Sequence, residues 1–160
     1  MTKKETYWLL GSTLLAFALF FAPSGFSDFD LSSTTDINVY DTYYILPRFA
    51  LFVFVLTFIF FVVYLIRMLS QKFKNIIANL IFISASSILI LIFTTLIAIV
   101  HSIRAIPSKL ENSSLNSEII ENGGNAWNTT YYVLLAIQLL LIILLVISAV
   151  KTGKNYKYLK

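Results

Sequence analysis

The chain contains no cysteine and a single histidine, His101. Disulfide scaffolds, Cys-x-x-Cys redox pairs, thiolate metal sites and multi-histidine metal or haem sites are therefore excluded within it. Charge is also scarce: Asp, Glu, Lys and Arg make up 12% of the 160 residues, against roughly 25% in soluble domains. What replaces the missing polarity is apolar. Hydrophobic residues reach 58%, with 14 Phe and 9 Tyr, and the mean hydropathy is +0.82. Too few polar side chains remain to coat a water-facing surface, so the composition reads as an integral membrane protein.

A hydrocarbon core about 30 Å thick needs roughly 20 mostly apolar helical residues to cross it. Four segments are read as spans: 6–22, ending at Pro23 and Gly25; 46–69, dense in Phe and Val; 75–103, followed by Pro107; and 127–150, mostly Leu and Ile with one amide, Gln138. The expected fold is all-α, a single membrane domain of four transmembrane helices in an up-down bundle. An outer loop is expected over 23–45, a second over 104–126 with a Gly123-Gly124 break, and a basic inner tail over 151–160. No ionised residue sits centrally in any span, where a Lys or Arg would cost about 2.5 to 3.5 kcal/mol, so a voltage sensor or proton relay is not expected. The first segment, preceded by Lys3 and Lys4, has the outline of a signal peptide, but Pro23 stands where cleavage would fall and a retained anchor is expected.

Orientation follows from the flanking basic residues. If the helices alternate, Lys3, Lys4, Arg67, Lys72, Lys74, Lys151, Lys154, Lys157 and Lys160 fall on one side and Arg48, Arg104 and Lys109 on the other. Nine against three places both termini inside. Of the acids only Glu5 shares the basic side. The basic tail KTGKNYKYLK is expected to attract anionic lipid headgroups rather than nucleic acid.

On the third span Asn79, Ser86 with Ser87, Thr94 and His101 recur at spacings of seven or eight and read as one helix face, with Gln138 of the fourth span a candidate partner. Small polar residues let helices approach closely and hydrogen-bond across the contact. Packing is therefore the expected role, and a path for a small solute the alternative. The asparagine acceptor patterns at Asn112 and Asn128 matter only in a secretory compartment and are discounted. His101 and Arg104 read as interfacial anchors.

Residues 36–49 read DINVYDTYYILPRF. This stretch resembles the outer-face segment D-I-x-x-H-D-T-Y-Y-V-V-A-H-F-H of haem-copper oxidase subunit I, matching at Asp36, Ile37, Asp41, Thr42, Tyr43, Tyr44 and Phe49. The resemblance implies a segment entering a transmembrane helix from the outer face. It does not carry the family's chemistry here. The position of the family's first histidine is Tyr40, and its two haem-ligand positions are Arg48, which offers no lone pair, and Ala50, which offers no donor atom. The match covers roughly a tenth to a fifth of the chain. It implies descent from subunit I with loss of haem, independent retention of the D-T-Y-Y turn, or coincidence. For the retained residues, Asp41 and Thr42 are expected to cap the second helix or its preceding turn, Tyr43 and Tyr44 to anchor at the interface, Pro47 to occupy the first helical turn, and Arg48 to pair with Asp41.

No nucleophile, base or metal cluster is assembled by these residues, so no enzyme activity, catalytic residue or cofactor is expected. The expected function is a non-catalytic membrane subunit or assembly partner of a larger complex, with a respiratory complex implied by the resemblance. Its expected partners are membrane lipids and other membrane protein subunits, in a bacterial inner membrane or, alternatively, an organellar inner membrane. The alternative function is a small self-associating transporter or channel using the polar face of the third span.

Overall fold

A computed structural model describes residues 3–22, 30–39, 42–104 and 117–157. Among these the elements run α1 (Lys3–Phe21), β1 (Thr34–Val39), β2 (Thr42–Pro47), α2 (Arg48–Ser70), α3 (Ile76–Arg104) and α4 (Ser117–Lys157). Three helical stretches are long and apolar enough to cross a membrane: Arg48–Ser70, Ile76–Ser102 and Trp127–Asn155, of 23, 27 and 29 residues. At 1.5 Å per residue they measure about 35, 40 and 44 Å, each longer than the hydrocarbon core. α1 is not among them, because its 19 residues begin with Lys3, Lys4 and Glu5 and include Ser12 and Thr13.

Three stretches depart from the sequence expectation. The first loop holds an antiparallel hairpin, with Val39 paired to Thr42 and Thr34 to Pro47. TTDINV and TYYILP are rich in β-branched and aromatic residues, and a connection of two residues is the commonest hairpin length. α4 starts at Ser117 rather than Trp127 and carries Gly123 and Gly124 inside it. Each glycine costs about 1 kcal/mol in a helix, but extension from a formed helix needs no new nucleus. The tail expected over 151–160 is helical as far as Lys157, and Lys151 and Lys154 suit the negative C-terminal end. The first half of the second expected loop, 105–116, lies outside the described residues.

By its internal contacts the chain divides into two compact units: Met1–Ala85 with Ser148–Lys160, and Ser86–Ile147. α3 and α4 are long enough to contribute a section to each.

In the first unit α1 and α2 are antiparallel. Phe17 and Phe20 lie with ring centroids 5.1 and 5.3 Å from Phe52 at one end, and Glu5 meets Arg67 at the other. α2 and α3 pack through Phe61 and the fully buried Phe82, 5.2 Å apart. The turn joining them is a helix C-cap in which Phe73 N donates to Met68 O and Lys72 N to Leu69 O, both at 3.0 Å. This double bond pattern requires a left-handed residue after the cap, a place usually taken by glycine. Here Lys72 has φ 49° and Phe73 φ 62°. The Phe73 carbonyl is held by two amides, Asn79 Nδ2 at 2.9 Å and Asn155 Nδ2 at 3.0 Å. Lys72→Gly relieves the Cβ clash of the left-handed conformation and is expected to add about 1 kcal/mol of stability. A thermal melt in detergent checks this, with Lys72→Val, β-branched at positive φ, expected to melt lower than wild type.

In the second unit the sections of α3 and α4 are also antiparallel: Gln138 Nε2 donates to Thr94 Oγ1 at 2.7 Å, and the rings of His101 and Tyr131 lie 6.0 Å apart. Leu89 and Leu141 are buried there.

Candidate functional site

The most concentrated polar chemistry among the described residues lies in the first unit, where the start of α1, the end of α2 and the start of α3 converge. Glu5 sits in the first turn of α1 and Arg67 in the last turn of α2. Arg67 Nη1 donates to Glu5 Oε2 at 2.8 Å and Nη2 to Oε1 at 2.7 Å, a two-pronged pairing that matches the guanidinium fork to the carboxylate. Both residues are buried, 3% and 7% exposed, so water does little to screen them. The guanidinium also lies 4.9 Å from the ring centre of Trp8 and 5.5 Å from that of Tyr64. Aromatic faces attract a cation more strongly where it is desolvated.

Asn75 completes the cluster. Its Nδ2 donates to Glu5 Oε1 at 2.6 Å, while its Oδ1 accepts from Ile77 N at 3.1 Å and Ala78 N at 3.2 Å. One side chain therefore caps α3 and holds the carboxylate that holds α2. Nearby, the Tyr64 hydroxyl and Asn79 Oδ1 are buried with no hydrogen-bond partner. Glu5 also borders an open cavity of about 800 Å³ with Gln71, Lys74, Asn75, Ile76 and Ile77.

The donated bonds from Arg67 hold the Glu5 carboxyl below its ordinary pKa, with Asn75 contributing and burial opposing. A carboxylate occupied by three donors is a poor base. The cluster joins helices. Because the folded pKa is depressed, its contribution is complete above the ordinary carboxylate range, about pH 4 to 5, and disappears as pH falls through the folded value. The melting temperature in detergent is expected to be level from pH 8 to about 5.5 and to fall below that range, with a shallower fall in Glu5→Gln.

The residues singled out from sequence are dispersed. Asp36 lies in β1, exposed, opposite Ile45; Thr42, Tyr43 and Tyr44 form β2 opposite Val39, Asn38 and Ile37, and the side chains of those three lie outside the described residues, as does Asp41 altogether. The N-cap of α2 is Pro47, in extended conformation and without a side-chain cap bond, so Pro47 precedes the first turn rather than occupying it. Arg48 N instead donates to Ser33 O at 3.0 Å, extending the hairpin ladder and satisfying a helix N–H that would otherwise need a cap. The guanidinium reaches Ser33 Oγ at 3.4 Å. Asp30, turned back on Ser32 through bonds of 2.6 Å from Oγ and 2.8 Å from N, has its carboxyl pKa lowered first by those bonds and further by the charge of Arg48.

The α3 residues do not share one environment. Asn79 and Ser86 are fully buried, whereas Ser87, Thr94 and His101 are exposed. Adjacent helical residues point about 100° apart, which separates Ser86 from Ser87. Thr94 Oγ1 also bonds back to Ile90 O at 2.8 Å. Asn79 belongs with the turn at Phe73, and Thr94 with Gln138.

Sequence reasoning passed over Glu5, Arg67, Asn75 and Tyr64 as a group. One signal was present: Glu5 is the lone acid among nine basic residues on its expected side. Among the described residues no three His, Cys, Asp or Glu side chains are grouped to hold a metal ion. Comparison with known protein families, curated proteins and solved structures finds no match.

Proposed function

We propose that the chain is a non-catalytic integral membrane subunit, or assembly partner, of a larger membrane complex. The observation that carries this reading is the contrast between its polar and apolar groups. Glu5, Arg67 and Asn75 are bonded to one another, as are Thr94 and Gln138. The apolar windows of α2 and α4, by contrast, are only 17% and 11% buried inside the chain. The side chains of these two groups are thus committed to internal structure, and broad Phe, Ile and Leu surfaces face outward, where lipid and neighbouring helices pack. The D-T-Y-Y stretch supports a respiratory complex as the partner, with this chain a degenerate element related to subunit I. The alternative, a self-associating transporter, needs the polar groups of α3 to face an aqueous path, and the Thr94 to Gln138 bond gives it no support.

The reading includes four spans with both termini inside, supported by the nine-to-three distribution of basic residues, and location in a bacterial inner membrane. The absence of cysteine makes the topology easy to test. Single cysteines at Ser32 and Lys154 are expected to react with an impermeant maleimide from opposite sides of the membrane. The function is tested by purifying the tagged chain from its native membrane in mild detergent, followed by native gel, mass spectrometry and a visible absorption spectrum. Co-migration with respiratory subunits is the expected result. A colourless particle containing this chain alone overturns the reading and directs attention to transport in liposomes.

A further inference from the structure

We propose that the turn between α2 and α3 and the end of α4 form a binding site for the phosphate of an anionic phospholipid headgroup. These elements, all in the first unit, enclose a cavity of about 400 Å³ lined by Leu69, Lys72, Phe73, Lys151, Lys154 and Asn155. The volume lies within the roughly 300 to 1,000 Å³ of small-molecule sites.

Three lysines line it, and among the described residues none of them is within ion-pair distance of a carboxylate. Glu5, at the start of α1 in the same unit, is engaged by Arg67 and Asn75. Three lysines without a carboxylate partner around one hollow call for an anion.

The wall is held in place independently of any ligand. Lys72 lies in the left-handed turn, and the Phe73 carbonyl is held by Asn79 and Asn155. Lys151 Nζ rests 4.7 Å from the centre of the Phe73 ring. The cavity is also two-faced. Leu69, 56% exposed, forms an apolar wall on a helix long enough to span the membrane, and the lysines stand where two such helices end. A phosphate with an acyl chain attached satisfies both faces, whereas free phosphate satisfies only one. Basic pockets between helix ends are suited to acidic lipid headgroups.

The test uses the full chain in mild detergent, titrated with short-chain phosphatidylglycerol, short-chain phosphatidylcholine or inorganic phosphate, with the thermal shift as readout. Phosphatidylglycerol is expected to raise the melting temperature, and phosphatidylcholine and inorganic phosphate to leave it nearly unchanged. Lys151→Gln with Lys154→Gln should weaken the apparent affinity about tenfold or more. Lys4→Gln with Lys74→Gln, which removes equal charge outside the cavity, should not. Lys154→Gln alone, at an exposed position, gives an intermediate loss and keeps the test valid should the double variant fold poorly. Equal losses in the two double variants, or no response to phosphatidylglycerol, overturn the site. An equal response to inorganic phosphate overturns the lipid assignment in favour of a soluble phosphate.

Discussion

Glu5→Ala is expected to lower stability by about 3 to 5 kcal/mol, the largest effect of any single substitution considered for this chain. The loss does not measure the attraction between Glu5 and Arg67. It arises because the guanidinium remains buried between the Trp8 and Tyr64 rings with no carboxylate to accept from it, and Asn75 Nδ2 loses its acceptor as well. Returning that charge to water requires the end of α2 to move, and keeping it buried leaves it unpaired. Glu5→Gln retains one acceptor and should fall in between. The decisive variant is Glu5→Leu with Arg67→Met, which removes both charges at similar volume. It should recover most of the loss, since desolvation of a buried pair largely offsets its attraction. Thermal melts in detergent are expected to place Glu5→Ala about 10 °C below wild type and the double variant near it. A double variant as unstable as Glu5→Ala would show that the pair itself stabilises the fold.

Asn75→Asp is the second substitution with a large expected effect, and its direction is not evident from shape. Aspartate is as good a helix cap as asparagine and nearly the same size. Yet the group that donates at 2.6 Å to Glu5 Oε1 becomes a carboxylate oxygen facing a carboxylate. A charge-assisted bond, about 1.5 to 3 kcal/mol, is exchanged for repulsion only partly relieved by Arg67. About 2 to 3 kcal/mol should be lost at neutral pH. Like charges in contact raise one carboxyl pKa above its unfolded value, so the deficit is greatest above that raised pKa and shrinks as pH falls through it. Wild type behaves in the opposite way, losing stability as it is acidified. Melts of both proteins from pH 8 to about 4 check this, and a deficit independent of pH would remove like-charge contact as its cause.

The apolar helices were legible in the sequence because length and composition alone decide whether a segment can cross a bilayer. α2 and α3 lie within two residues of their expected limits. The hairpin was not, since TTDINV and TYYILP flank Tyr40 and Asp41 rather than an Asn-Gly turn, and the acids and serines around them read as loop. The two glycines of α4 misled for a related reason: local propensity argued for a break, and continuation of a long helix outweighed it. For the polar cluster, sequence reading placed Glu5 beside the basic residues but had no means of choosing its partner. Arg67 is 62 residues away and Asn75 70. Helix pairing, which one sequence does not encode locally, selects them.

The bond from Arg48 N to Ser33 O gives the hairpin a further consequence for α2. Because the strand ladder runs without interruption into the first turn, the hairpin sets the rotational phase at which α2 begins. The phase of that same helix is set a second time near its far end, where Arg67 must point at Glu5. Deleting one residue between Val39 and Thr42 would shift the ladder by one step and turn every side chain of β2 to the opposite face. It would also ask α2 to rotate by about 100°. The helix is thus keyed at both ends, and a change of register in the hairpin is resisted by a salt bridge some 20 residues along it.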